Sequence, residues 1–201
     1  ELCRDRVIGV TGTKGKSTTS SLIYTILKQK YSSVYLIGNI GYPPLEFLRF
    51  DSPDAWFVFE LSSHQLADID VSPRVAVILN IYPEHLDYYP KIEDYIDAKS
   101  KITLLGKKSD LLIFNMNNKS VEKIAKLTKS EKLGFSEESK LGSVGYIKGE
   151  WLCYKNGGSI QKIMAVDEVP LPGRHNLVNC LAAAAVAINL GVSREDVEEG
   201  I

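Results

Sequence analysis

The sequence predicts an α/β fold with a mostly parallel sheet flanked by helices. Three observations predict it. Short apolar runs alternate with helical segments from residue 7 to about residue 130. A glycine-rich turn, Gly12-Thr13-Lys14-Gly15-Lys16-Ser17, lies between an apolar run and a helical pattern, which is the setting of a P-loop. From about Lys132 to Val169 the rhythm changes to short strand-like runs around a Gly157-Gly158 hairpin signal, which predicts a small antiparallel β meander appended to the parallel sheet.

Val7-Ile8-Gly9-Val10 reads as a buried strand. A helix follows over about Lys16 to Lys30, because Leu22, Ile23, Ile26 and Leu27 recur on one face. Val34 to Ile37 is a second strand; the loop from Gly38 to Pro44 follows it, then a short helix around Leu45 to Leu48. Trp56 to Leu61 and Val75 to Ile81 are two further buried strands. A helix over about Ile92 to Leu105, a strand at Leu111 to Phe114 and a helix at Ser120 to Leu127 complete the alternating part. The meander's runs are Gly145 to Ile147, Trp151 to Tyr154 and Ile160 to Ala165. Another helix spans about Asn176 to Asn189, and a last one begins near Ser193, an N-cap type followed by Glu195 and Asp196 in the first turn. The chain ends within that last predicted helix, as a piece of a longer protein would.

The bulk numbers exclude several classes. With 201 residues, 44% hydrophobic and 24% charged, the chain has the size and make-up of one large globular domain with a full core. A net charge of −1 supplies no field to attract nucleic acid or an anionic membrane. The longest apolar stretch, near Leu181 to Leu190, is too short to span a bilayer. Cys3, Cys153 and Cys180 are scattered and stand in no metal-ligand or redox spacing, which fits a reducing cytoplasm. No leader pattern precedes the first strand. The expectation is a cytoplasmic enzyme domain without nucleic-acid or membrane partners.

The glycines of the loop let the backbone approach phosphate oxygens, and successive N–H groups with the helix N-terminus supply partial positive charge. Lys16 would lie between the β- and γ-phosphates and the Ser17 hydroxyl would bind Mg²⁺. The general P-loop pattern has its first glycine where this chain has Val10. A P-loop says only that a nucleotide phosphate binds; kinases, GTPases, ATPases and ligases all use one. A guanine-reading Asn-Lys-x-Asp element is not evident, since Asn117-Asn118-Lys119-Ser120 does not satisfy it.

The run Thr11 to Thr18 resembles the phosphate loop of the Mur ligases and of their relative folylpolyglutamate synthase, with Lys14 where that family usually has asparagine. Four further segments match in order: Gly38-Asn39-Ile40-Gly41, Glu60-Leu61-Ser62-Ser63-His64-Gln65-Leu66, Asn80 to Asp87, and Gly173-Arg174-His175-Asn176. Tyr95 to Lys99 resembles the family's lysine-bearing helix. The resemblance covers nearly the whole chain and identifies it with the family's central, ATP-binding domain over 1–201. The N-terminal UDP-binding and C-terminal amino-acid-binding domains are then absent, and the chain alone should not complete ligation.

The family reaction transfers a phosphoryl group from ATP to a carboxylate of a UDP-sugar peptide precursor; an amino acid's amine then displaces phosphate to form an amide. Gly38-Asn39-Ile40-Gly41 and the Glu60 to Leu66 segment resemble most the D-glutamate-adding branch, which implies addition of D-glutamate to UDP-N-acetylmuramoyl-L-alanine in peptidoglycan precursor synthesis. His64 and the Leu86-Asp87-Tyr88 run lean toward the branch that adds the third residue. Folylpolyglutamate synthase and a nucleotide-binding module without ligase chemistry are the other readings.

Site residues follow partly from chemistry and partly from the resemblance. Gly12, Thr13, Lys14, Gly15, Lys16, Ser17 and Thr18 are the expected phosphate binders. Glu60, at the end of a predicted strand, is a hard oxygen donor suited to Mg²⁺, or an ordinary strand-end carboxylate. For His85 the residues alone favour a helix-start or core histidine, because histidine is an uncommon Mg²⁺ ligand; the resemblance instead implies contact with a second metal ion. Tyr95 and Lys99 share a helix face. Lys99 is either a solvated lysine on a charged helix or, by resemblance, a lysine carbamylated by CO₂ that holds the second Mg²⁺. That reaction needs a neutral amine and so a lowered pKa. The resemblance implies that Asn39, Ser62 and Gln65 contact the UDP-sugar, and these types equally serve loop and turn capping. Asn176 is the expected adenine contact, its amide matching adenine's edge, with Arg174 and His175 beside it. Lys16, Glu60, His85 and Lys99 are thus the expected catalytic set; Ser17, Glu60, His85 and carbamylated Lys99 are the expected metal donors.

Overall fold

Nine strands pair in the order β2-β3-β1-β4-β5-β6-β7-β8-β9 in a computed structural model that describes residues 3–40, 50 and 52–201. In chain order these are β1 (Val7–Thr11), α1 (Lys16–Lys30), β2 (Val34–Gly38), β3 (Trp56–Glu60), α2 (Ser63–Ala67), β4 (Val75–Ile78), α3 (Ile92–Leu104), β5 (Leu111–Asn115), α4 (Lys119–Leu127), β6 (Glu131–Ser136), β7 (Ser143–Lys148), β8 (Trp151–Asn156), β9 (Ser159–Ala165), α5 (Arg174–Asn189) and α6 (Arg194–Gly200). The pairings from β2 through β7 are parallel, and β7-β8-β9 are antiparallel. The predicted meander is therefore real. It continues the sheet's own hydrogen-bond ladder, because β7 pairs in parallel with β6 before the chain turns back.

The sheet is buried on both faces, which is why its central strands are apolar without alternation. In β4, Val75 and Val77 join the cluster under α1 and α5, while Ala76 and Ile78 face the cluster under α2, α3 and α4. Leu22, Ile23, Ile26 and Leu27 of α1 are buried as the periodicity predicts. The alanines of α5 (182–185 and 187) are all buried, so this helix lies close against both α1 and the sheet. At α6, a Cβ on Gly200 would stand 2.6 Å from the Ile26 Cα, a packing that only glycine permits. Among the described residues no helix is long and apolar enough to cross a membrane.

Several boundaries differ from the sequence reading. β4 stops at Ile78, because Leu79 and Asn80 turn their backbones to the phosphate loop. α5 begins at Arg174, so Asn176 lies inside its first turn. Two elements went unpredicted. α2 has only five residues and is recognisable by its capping box, and β6 is a Glu-Lys-Leu-Gly-Phe-Ser segment whose exposed start lacks an apolar signature. Gly41 to Pro44 of the predicted loop, and the predicted helix at Leu45 to Leu48, lie outside the described residues.

β1 is flanked by β3 on one side and β4 on the other, so the chain's connections diverge there. Parallel α/β sheets leave a crevice at such a point, beyond the carboxyl ends of the strands. The register brings Val10 beside Glu60 and Thr11 beside Ile78, aligning the ends of the three strands. The neighbouring turn at Gly38 is fixed by backbone geometry. Its φ is +107°, and a Cβ there would stand 2.4 Å from the Glu60 carbonyl oxygen. Gly38→Ala is accordingly expected to lower the free energy of unfolding by about 2 kcal/mol. Urea denaturation checks this, and an unchanged midpoint would contradict it.

Candidate functional site

The phosphate loop leaves β1 at Thr11 and enters α1 at Lys16. Its path is held from outside. The Thr13 N–H donates to the Asn80 carbonyl (2.7 Å), the Lys14 N–H donates to Asn80 Oδ1 (2.9 Å), and Asn80 Nδ2 donates to the Lys14 carbonyl (2.9 Å). Thr11 Oγ1 donates to the Leu61 carbonyl at 2.9 Å, which joins the loop's root to the end of β3. Asn80 carried no assigned role in the sequence reading, although it opens one of the resembling segments. Only its position after β4 shows that it clamps the loop.

Gly15 has φ +86°, and a Cβ on it would meet Asn179 Oδ1 at 2.6 Å; one on Gly12 would meet Leu79 Cβ at 3.0 Å. These two positions need glycine for reasons of conformation and close approach. Lys16 Nζ donates to the Gly12 and Thr13 carbonyls, each at 3.1 Å, so its ammonium lies over the loop. Ser17 is exposed in the first turn of α1, and Thr18 lines the neighbouring cleft.

That cleft, about 570 Å³, opens between the loop, the end of β4 and the start of α5. Lys14, Thr18, Asn80, Asn115, Glu137 and Asn176 are among the residues on its walls. Asn176 has both ends of its amide engaged: Nδ2 donates to the Pro172 carbonyl (2.7 Å) and Oδ1 accepts from Asn179 Nδ2 (2.9 Å). One N–H and one lone pair remain for a ligand. Arg174 points to Glu137 at 3.0 Å, and His175 lines the same cleft. Asn115 and Glu137 were not anticipated. They arrive from the ends of β5 and just beyond β6, and no local motif marks them.

On the other side of the loop, Glu60 is only 1% exposed. Its Oε1 accepts from Asn39 Nδ2 at 3.2 Å, while its Oε2 is buried with no hydrogen-bond partner. A buried carboxylate oxygen without a donor is costly unless a cation completes it. The donor chemistry here is hard oxygen, which fits Mg²⁺. The ordinary solvated strand-end carboxylate is thereby excluded.

Lys99 is 1% exposed, so it is not a solvated surface lysine. Its Nζ donates to Thr11 Oγ1 (3.3 Å) and the Gly12 carbonyl (3.0 Å), and stands 4.8 Å from the centre of the Tyr95 ring. Burial, reinforced by the nearby Lys16 charge, pulls its pKa down to about 7. A substantial fraction is thus a neutral amine near neutrality. Tyr95 in turn shares a 3.1 Å hydrogen bond with Thr13 Oγ1, so α3 braces the loop twice.

His85 is neither a helix start nor a core residue. It lies in the segment after β4, with its side chain 47% exposed, and it is the one non-glycine residue with positive φ (57°) among those described. Its carbonyl accepts from the N–H groups of Tyr88 and Tyr89, which closes a turn around it. The ring packs against His64 and Tyr95, with centroids 5.4 and 6.2 Å away, and its Nε2 is 3.9 Å from Glu84 Oε2. Such backbone strain recurs at functional sites. Among the described residues no group of three or more His, Cys, Asp and Glu side chains is placed to hold a metal by itself. A second ion would need the Lys99 position as well.

Ser62 and Gln65 form the capping box of α2: Gln65 N–H donates to Ser62 Oγ (3.2 Å) and Ser62 N–H to Gln65 Oε1 (2.9 Å). Asn39 is exposed at the end of β2 and donates to Glu60. All three stand on the Glu60 side of the loop, opposite Asn176.

The profile described as the Mur ligase middle domain matches residues 10–187. The UDP-N-acetylmuramoylalanine–D-glutamate ligase of Ligilactobacillus salivarius is 38% identical over 202 positions, covering 99% of this chain and 43% of that protein. The protein of the same name in Bacillus subtilis is also 38% identical, over 96% of this chain and 42% of its own length. Among solved structures, MurF from Acinetobacter baumannii superposes with a TM-score of 0.72 at 22% identity, covering 98% of this chain and 45% of that one. A UDP-N-acetylmuramoyl-L-alanyl-D-glutamate–2,6-diaminopimelate ligase superposes at 0.77, also with 22% identity, over 97% and 45%. The two structures share the fold. The chain spans less than half the length of each of these relatives.

Proposed function

The chain belongs to the Mur ligase family as its middle domain, and from that premise we propose that it holds ATP for carboxylate activation in a ligase that adds D-glutamate to UDP-N-acetylmuramoyl-L-alanine. The observation that carries this reading is the buried, half-unpartnered Glu60 carboxylate beside a clamped phosphate loop at the carboxyl ends of β1 and β3. The D-glutamate specificity draws support from the names of the relatives at 36–38% identity. In the intact enzyme the family's UDP-binding and amino-acid-binding domains would flank this one, and the reaction would run in the cytoplasm.

One oxygen of the precursor's carboxylate attacks the γ-phosphorus of ATP and ADP leaves. The amine of D-glutamate then attacks the acyl carbon, and inorganic phosphate and a proton depart. The loop N–H groups and the start of α1 cradle the phosphates, and Lys16 bridges the β and γ groups. Ser17 and Glu60 would hold one Mg²⁺, which supplies charge neutralisation at the transferring phosphate. Lys99 near pH 7 retains an amine lone pair able to attack CO₂, with loss of a proton, and the resulting carbamate with His85 would hold a second ion. Asn176 lies at the adenine end of the cleft. Asn39, Ser62 and Gln65 face the UDP-sugar, with Ser62 and Gln65 holding the short helix that presents them.

Two measurements test this. The intact ligase should release ADP in step with amide formation when given D-glutamate; a preference for meso-diaminopimelate or lysine would overturn the assigned amino acid. In the present chain, Mg²⁺ should tighten binding of the non-hydrolysable ATP analogue AMP-PNP by about tenfold, and Glu60→Gln should abolish that gain. Equal Mg²⁺ dependence in both proteins would remove Glu60 from the metal site.

A further inference from the structure

We propose that Lys14 and Glu84 form an exchangeable latch through which the loop distinguishes a nucleoside triphosphate from a diphosphate. Lys14 releases Glu84 and takes the terminal phosphate when a γ-phosphate is present. The inference rests on the nucleotide-binding reading above and adds to it a residue that senses the phosphate count.

Lys14 Nζ donates to Glu84 Oε1 at 2.6 Å across the gap between the loop and the segment after β4. The backbones on both sides are fixed to each other. Asn80 holds the Lys14 N–H and carbonyl, and the Tyr82 N–H donates to Thr13 Oγ1 at 2.9 Å while Thr13 Oγ1 donates back to the Tyr82 carbonyl. The two side chains are therefore the parts free to rearrange. The Lys14 side chain is 75% exposed, and an ion pair this open to water is weak. A terminal phosphate offers several charged oxygens to the same ammonium and forms stronger, charge-assisted hydrogen bonds.

Position and charge agree with that exchange. Lys14 lines the nucleotide cleft, so its four-carbon arm can turn from Glu84 into the cleft without moving the backbone. Lys16 lies over the loop on the Gly12 and Thr13 carbonyls, whereas Lys14 reaches outward to a side chain, so Lys14 is the loop cation whose partner can be exchanged. Glu84 is the carboxylate that faces both partners, with Oε1 on Lys14 Nζ and Oε2 3.9 Å from His85 Nε2. Release of Lys14 exposes that carboxylate beside His85, on the side where Glu60 lies. The asparagine usual at this position in the resembling family carries no charge, so it could not make this ion pair.

The test is calorimetric titration of the 201-residue chain with Mg²⁺ and either ADP or AMP-PNP. Lys14→Gln should weaken AMP-PNP binding about tenfold and change ADP binding less than about twofold. Lys14→Arg should restore most of the difference. Glu84→Gln frees the lysine and should tighten AMP-PNP binding by up to about fivefold. If both neutral variants weaken ADP and AMP-PNP alike, the pair is a structural tie and the latch is overturned. Weaker AMP-PNP binding by Glu84→Gln overturns it as well. A parent chain that binds neither nucleotide overturns the latch together with the nucleotide-binding reading. Binding of both with discrimination unchanged in Lys14→Gln overturns the latch alone. Denaturant midpoints of each variant confirm that the comparison is made on folded protein.

Discussion

Lys16→Ala is expected to weaken binding of ADP and AMP-PNP to this chain by about 100-fold while leaving the fold intact. The ammonium is the loop's one cation already positioned over its own carbonyls, at 3.1 Å from both Gly12 and Thr13. Two phosphates would lose a charge-assisted donor at once, and Lys14, which reaches outward to Glu84, does not occupy the place over the Gly12 and Thr13 carbonyls. The fold should survive because the Gly12 carbonyl still receives Lys99, and the Asn80 clamp does not involve Lys16. In the intact ligase the same change should lower kcat/KM by about 10³-fold, since the donor also serves the charge that develops during phosphoryl transfer. Titration calorimetry on the chain and initial rates on the ligase measure the two effects. Affinity within about threefold of the parent would show that Lys16 does not reach the phosphates.

The second large effect is on the pH dependence of stability. Lys99 has a folded pKa of about 7 against an ordinary value of 10.5. Below pH 7 both folded and unfolded states carry the proton, and the folded state bears the full cost of a buried charge. Between pH 7 and 10.5 the unfolded chain binds more protons at this site than the folded chain, so stability rises with pH across that window. From pH 7 to 9.5 the gain from this one group is ~3 kcal/mol. Lys99→Met removes the group and keeps the volume, so its stability should be nearly level over the same range after the shared background is subtracted. Urea unfolding of both proteins at pH 7 and 9.5 reads the difference. Parallel slopes would mean that Lys99 is solvated in solution. In the intact ligase, Lys99→Ala should lose activity, and a short-chain carboxylic acid should restore part of it by standing in for the carbamate; full activity without the acid would end the carbamate proposal.

These two lysines show how far the sequence could be read. Lys16 stands in a strand-loop-helix setting whose physics is local: glycines for close approach, a helix N-terminus, a lysine at a set spacing. Lys99 sits on a helix that also carries Lys91, Glu93, Asp94 and Asp97, and nothing local separates it from its solvated neighbours. Its burial comes from α3 lying across the end of β1, and that depends on contacts 87 and 88 residues away in sequence. The same division holds for His85. Its isolated signal is that of a core or helix-start residue, and only the turn closed by Tyr88 and Tyr89 shows the left-handed backbone and the half-exposed ring beside His64 and Tyr95.

By itself the sequence determined the parallel α/β class, nearly all of the strands and helices, the phosphate loop and the family, because apolar periodicity and glycine spacing act over a few residues. Tertiary structure alone decided that β6 exists, that Asn80 clamps the loop, that Glu60 keeps one oxygen without a partner, and that Lys14 meets Glu84. The reason is physical. Burial, desolvation and ion pairing are properties of groups brought together from distant strands, and a chain read in order carries no measure of which ends of those strands will meet.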